Sequence, residues 1–347
     1  MPDRCPNVLA RRLGQRHAAP KKTHVPDDIQ FLTKPQIALV LIDQAMADGI
    51  TVKAWTFDEL YGRDGKFLDG LDERKQAFVG EVPPNFYAWA RKPIVLRKPG
   101  RNTKGRQKKY PRLAVRDAKA SQVQNLAKYS PGLASQRPQH YRTRDSQKGP
   151  EIWEVRWHVV YRKTQDGRMV SSQCTLIVAK NVRTGEVKYF ISNQVPGRDG
   201  WTVRELLRVA FGRWKVEACF REAKEELGLD HFECRGWECV HRHMIVTIVS
   251  QLFCARVRHR LCRSEVVTDA ERLTLEQVRR ATDVVIRCLC LPKRLRDEQY
   301  EAERLRISYH QRRNAIASRY HRKKRIADYH DLGIDPDQIK SVEPKSP

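Results

Sequence analysis

Acidic residues are missing where basic ones crowd. Residues 91–116 hold eleven Lys and Arg without a single Asp or Glu, and residues 304–325 hold nine without one. Over 347 residues, 41 acids face 67 Lys and Arg, a formal charge of +26. A chain this basic repels itself unless it meets a polyanion. Nucleic acid is the usual one, because each neutralised phosphate releases a counterion. No run approaches the ~18 uninterrupted apolar residues of a membrane span. No long amphipathic helix joins a basic face to a bulky apolar one, as an acidic membrane surface would require. The charged N-terminus, MPDRCPNVLARRLGQRH, lacks the apolar segment of a secretory signal. The nine cysteines are odd in number and irregularly spaced, which reads as reduced thiols in the cytoplasm and not as a disulfide framework. No Walker loop and no Gly-x-Gly-x-x-Gly run supports a nucleotide cofactor.

What is present alternates. Residues 1–32 carry four prolines and no period, an irregular lead-in. Residues 34–48 place Ile37, Leu41, Ala45 and Met46 at helical spacing, with Thr33 to cap the start, Pro35 in the first turn and Gly49 past the end. Residues 50–58, ITVKAWTFD, read as a strand ending in Asp58. A helix over 67–76 and a strand over 77–83 complete an α-β-α-β run, the pattern of a mixed sheet. From 91 to 150 the sequence reads as a solvated basic arm rich in Gly, Pro, Gln and Ser. Runs at 153–163, 171–181 and 186–194 form an antiparallel meander. Helices follow over 201–227, 238–262 and 274–290, then the basic 304–325 stretch.

The informative segment is RWKVEACFREAKEELGLDH, residues 213–231. At roughly 100° per residue, Arg213, Glu217, Arg221 and Lys224 share one stripe, and Val216, Phe220, Ala223 and Leu227 share the next. Spacing alone describes surface ion pairs of a few tenths of a kcal/mol each. The residue order says more. Arg-Trp-x-Val-Glu-x-x-Phe-x-x-x-Lys followed by Gly-Leu-Asp-His resembles the glutamate helix of insertion-sequence transposases, which belong to the DDE superfamily. The nearest resemblance is to the insertion sequence 701 group of the insertion sequence 4 superfamily. Arg213, Glu217 and Lys224 match three members of its Tyr-Arg-Glu-Lys signature, and Ala210 stands where the Tyr would fall. The segment Val25–Gly62 resembles the family's strand bearing the second aspartate, here Asp58. CRGWECVHRHMIV, residues 234–246, resembles the segment after the glutamate helix, with His243 at a position usually His.

The resemblance implies an α/β fold: an RNase H-like core whose early strands are missing, an inserted antiparallel β subdomain, and a helical, basic C-terminal region. The implied division is lead-in (1–32), first part of the core (33–90), flexible basic arm (91–150), β subdomain (151–200), glutamate helix and following core helix (201–262), and basic helical region with tail (263–347). It implies strand cleavage and transfer through two Mg²⁺ or Mn²⁺ ions held by carboxylates. Asp58 and Glu217 are the implied metal ligands. Arg213, Arg221, Lys224 and His243 are implied phosphate contacts, joined by Lys104, Arg106, Lys108 and Lys109 of the arm. The partner is double-stranded DNA at element ends, with a homodimer as the working form, in the cytoplasm at the nucleoid. The family's first Asp has no counterpart: Asp3, Asp27, Asp28, Asp43 and Asp48 are the only earlier aspartates, and none ends a strand-like run. The expectation is an N-terminally truncated form. Two alternatives stay open, a DNA-binding remnant without catalysis and a basic RNA-binding protein. Zinc at Cys234, Cys239, His241 and His243 is discounted, since no Cys-x-x-Cys accompanies them.

Overall fold

The computed structural model describes residues 23–96, 112–114, 119–165, 169–261 and 273–343. The first elements are α1 (Lys34–Ala47), β1 (Trp55–Phe57), α2 (Glu59–Gly62), α3 (Gly65–Glu73), β2 (Phe78–Val82), β3 (Tyr87–Trp89), β4 (Val95–Leu96), β5 (Arg112–Leu113) and β6 (Ser121–Gln122). Next come α4 (Val123–Tyr129), α5 (Pro131–Ala134), β7 (Gln139–Ser146), β8 (Gly149–Arg162), β9 (Cys174–Asn181) and β10 (Val187–Ser192). The remainder is α6 (Val203–Gly212), α7 (Trp214–Leu227), α8 (Trp237–Leu261), α9 (Leu275–Cys288), α10 (Lys293–Asp331) and β11 (Lys340–Ser341). The start of α1 follows its sequence signals: the Thr33 backbone N–H donates to Gln36 Oε1 at 2.9 Å, and Pro35 sits in the first turn. Gly49, at φ +76°, turns the chain away after the helix.

Nine strands form one mixed sheet in the order β1-β2-β10-β9-β8-β3-β6, with β7 beside β8 and β11 beside β7. β1 and β2 are parallel, and β8, β9 and β10 form the expected antiparallel meander. That meander is not a separate β subdomain, as the sequence had suggested. β10 pairs with β2 from Tyr189↔Val82 to Ser192↔Val79. The reason is burial. Phe78 and Val79 point to opposite faces of β2 and both are fully buried, so an unpaired edge there would strand backbone groups away from water. β1 ends the sheet on the other side, and no strand among the described residues pairs with its outer edge. It is also shorter than the expected 50–58, with Ile50 and Val52 exposed.

Two further expectations are corrected. The region 91–150 is not an arm throughout: from 119 onward it folds as β6, α4, α5 and β7, and Val123, Leu126 and Leu133 enter the core. These elements are too short to show a period in the sequence. The helix expected over 201–227 is two helices, α6 and α7, separated at Arg213.

One core cluster lies on the face covered by α1 to α5, built on Phe57, Leu68, Leu71, Phe78 and Leu176. The other lies under α6, on Val79, Trp153, Ile177, Phe190 and Leu206. Within the first face, the fully buried guanidinium of Arg162 at the end of β8 donates to Asp69 (2.5 Å) and Asp72 (2.6 Å) of α3. Asp72 also accepts from Asn193 Nδ2 at 3.0 Å. The C-terminal helices pack differently. In 25 residues α8 buries only Val240, Thr247 and Cys254 and leaves Ile245, Ile248, Val249, Leu252 and Phe253 exposed. The sulfurs of Cys234 and Cys239 are bonded in the turn that opens α8, against the expectation of reduced thiols. The turn brings their Cα atoms to 6.3 Å, within disulfide reach.

Candidate active site at the end of the sheet

Asp58 follows β1 directly and caps α2, its Oδ1 accepting the Leu60 N–H at 3.0 Å. The short helix is held tightly against β2: a Cβ at Gly62 would lie 1.9 Å from the Glu81 carbonyl oxygen. Only glycine permits that approach. In the parallel register Phe57 lies opposite Gly80, so the next residues, Asp58 and Glu81, stand level at the same end of the sheet. Asp58 is half-buried. The Tyr61 hydroxyl is pushed above the ordinary phenol range, first by burial and then by the negative charge of Asp58.

Glu81 is a charge on an otherwise apolar, buried strand. It accepts from Lys188 Nζ of β10 at 3.0 Å, and Arg213 Nη2 lies 3.7 Å from its other oxygen. The second arm of the same guanidinium meets Glu217 Oε1 at 2.6 Å. Arg213 sits between α6 and α7 in helical backbone conformation, φ −59° and ψ −31°, and from there its guanidinium spans Glu81 on the sheet and Glu217 on α7. Glu217 lies in the first turn of α7, where the helix dipole favours a carboxylate. Glu81, Lys188, Arg213, Glu217, Arg144 and Trp214 line a cavity of about 360 Å³. Arg144 stacks over the Trp214 ring at 4.9 Å.

Asp58 is not among the residues that line this cavity, and the remaining expected site residues disperse. Arg221 is exposed outside this cavity, and Lys224 lies 3.9 Å from Asp230. His243 makes a 2.8 Å contact from Nε2 to the Gly228 carbonyl and packs on Phe232, which fastens α8 to the end of α7. Lys104, Arg106, Lys108 and Lys109 lie outside the described residues. Of the apolar stripe on α7, Ala223 is buried and Leu227 half-buried, while Val216 and Phe220 stay exposed. Glu81 and Lys188 escaped the sequence reading. The one available signal was a Glu set among the apolar residues of FVGEV.

Hard carboxylate oxygens suit Mg²⁺ or Mn²⁺. Yet no group of three or more acids, histidines or cysteines among the described residues is placed to hold a metal ion. Glu81 and Glu217 are instead bridged by Arg213, and Glu81 is further neutralised by Lys188. The described residues therefore do not complete a two-metal centre.

No helix among the described residues is long and apolar enough to cross a membrane. No curated protein matches the chain. Residues 6–150 match the family described as DDE superfamily endonuclease. The matched portion, which carries Asp58 just past the end of β1 and Glu81 on the parallel strand β2, is thus similar to endonucleases of the DDE superfamily.

Proposed function

We propose that this chain engages duplex DNA as an insertion-sequence transposase of the 701 kind does, with an RNase H-like core and with Asp58 and Glu217 as the acids offered to Mg²⁺ or Mn²⁺. The observation that carries the reading is the placement of Asp58 level with Glu81 at the end of β1, with Arg213 linking Glu81 to Glu217. The net charge of +26 supplies the attraction to the phosphate backbone. Arg213 holds the Glu217 carboxylate in place and keeps the acid end from being a bare negative patch facing DNA. Arg221, Lys224 and the basic arm add phosphate contacts without reading sequence. Cytoplasmic residence at the nucleoid and pairing of two copies on DNA accompany this reading.

Two acids bridged by an arginine favour a second reading within the same frame: binding without cleavage. A two-metal phosphodiester reaction stabilises both the attacking and the leaving oxygen, and Asp58 and Glu217, with Glu81 tied to Lys188 and Arg213, do not supply the ligands it needs. The test is incubation of the purified chain with labelled duplex in Mn²⁺, beside the Glu217→Ala and Asp58→Asn variants. The expected result is salt-sensitive duplex binding in all three and no Mn²⁺-dependent nicking. Nicking that disappears in both variants would establish the enzyme and overturn the binding-only reading. Absence of duplex binding at low salt would overturn both.

A further inference from the structure

α10 is 39 residues long, and only Glu303 and Tyr329 along it are buried. Its two ends are anchored. Near the start, Glu303 lies 3.4 Å from Arg280 of α9. Near the end, Arg322 pairs with Asp145, Arg325 donates to the Gly149 carbonyl at 3.0 Å, and the Tyr329 hydroxyl accepts from the Ile152 N–H at 3.1 Å. Between these anchors the outward face is open. Leu305, Tyr309, Ile316 and Tyr320 are each 56–66% exposed. Their separations of four, seven and four residues place them in one narrow line along the helix.

Cations border that line on both sides. At roughly 100° per residue, Arg312 and Arg319 fall on one flank, and Arg306, Arg313 and Lys324 on the other. Arg313 leans on the line itself, donating to the Tyr309 hydroxyl at 3.3 Å. From 304 to 325 no acid interrupts the pattern. The strip is about one residue wide, too narrow for the apolar face that an interfacial membrane helix needs. A second copy would bring the same two basic flanks into contact with these.

A basic-apolar-basic face matches one ligand geometry closely. The major groove, about 12 Å wide, accepts a helix of about 10–12 Å diameter. A phosphate backbone runs along each wall, and thymine methyls line the floor. We propose that the outward face of α10 lies in the major groove of duplex DNA, with the flanking arginines on the two backbones and Leu305, Ile316 and the tyrosines against base edges, thymine methyls above all. The proposal rests on the DNA-binding reading above and adds sequence selectivity to it.

The test uses the full chain and fluorescence anisotropy. Two duplexes of equal length are compared, one containing thymidine and one with 2′-deoxyuridine at every thymidine position, each over a range of salt concentrations. The expected result is weaker binding to the uridine duplex, by about fourfold for each methyl buried. An Ile316→Ala, Tyr320→Ala double variant should lose much of that preference, the part not carried by Leu305 and Tyr309, while keeping the salt slope. An Arg312→Gln, Arg319→Gln variant should keep the preference while its log–log salt slope falls by roughly one unit for each phosphate left unneutralised. All these positions are exposed, and circular dichroism of each variant should overlay that of the parent. Equal affinity for both duplexes overturns the groove assignment and leaves general DNA binding intact. Capture by phosphatidylserine vesicles that is lost in the double variant overturns it in favour of a membrane surface. Failure to bind either duplex overturns the underlying DNA reading as well.

Discussion

On the sheet, Phe78, Val79, Leu176 and Ile177 have no exposed surface, and the buried cation Arg162 is paired with two carboxylates. On α8, seven-residue steps bury Val240, Thr247 and Cys254 while a run of Ile, Val, Leu and Phe faces solvent. The exposed pairs that decorate α8 to α10 are mostly local, such as Arg242–Glu238, Arg287–Asp283 and Arg294–Glu298. One region is ordered by long-range burial. The other is ordered largely along its own helices, with faces left over for contact with something else. The acid end lies at the junction, where the guanidinium of Arg213 reaches from the helical side to Glu81 on the sheet.

Three substitutions probe this contrast, beyond the tests given above. The largest effect is expected at Arg162→Ala, which leaves Asp69 and Asp72 without their cation in the interior. Breaking such a buried pair costs about 3–5 kcal/mol, measurable by urea denaturation of the full chain. A loss under about 1 kcal/mol, the ordinary size for a surface pair, would mean that water reaches this network. A smaller effect is expected at Gly80→Ala. A Cβ there would lie 1.8 Å from Phe57 Cε2, so the ring must move, at about 1–3 kcal/mol. Recovery of stability on adding Phe57→Leu would confirm the cause. The smallest is Ile248→Ser on α8, expected within about 0.5 kcal/mol of the parent. A loss of several times that would show this face to be covered in solution and would dissolve the contrast.

Much of the local structure was legible. Thr33, Pro35 and Gly49 announced α1, and the alternation in 153–194 announced the meander, because caps and periods are written in neighbouring residues. What joins the pieces was not. The pairing of β10 with β2 and the Arg162 pairs with α3 connect residues about ninety or more positions apart. No local pattern records such distances. The same split runs through the site. Arg213 and Glu217, four apart on one turn, were readable as partners. Glu81 was not, because only the parallel register sets it beside Asp58.

The Arg162 network also sets an order on the birth of the protein. Asp69 and Asp72 leave the ribosome 93 and 90 residues ahead of the arginine that will hold them. At translation speeds of about 5–20 residues per second, they wait roughly 5–20 seconds for it. Until then, burying α3 would desolvate two charges with nothing to answer them. Its acids must stay hydrated, and Leu68 and Leu71 beside them stay wet. A nascent chain that has released α3 but not yet Arg162 therefore presents that greasy face to water and to any chaperone that can reach it.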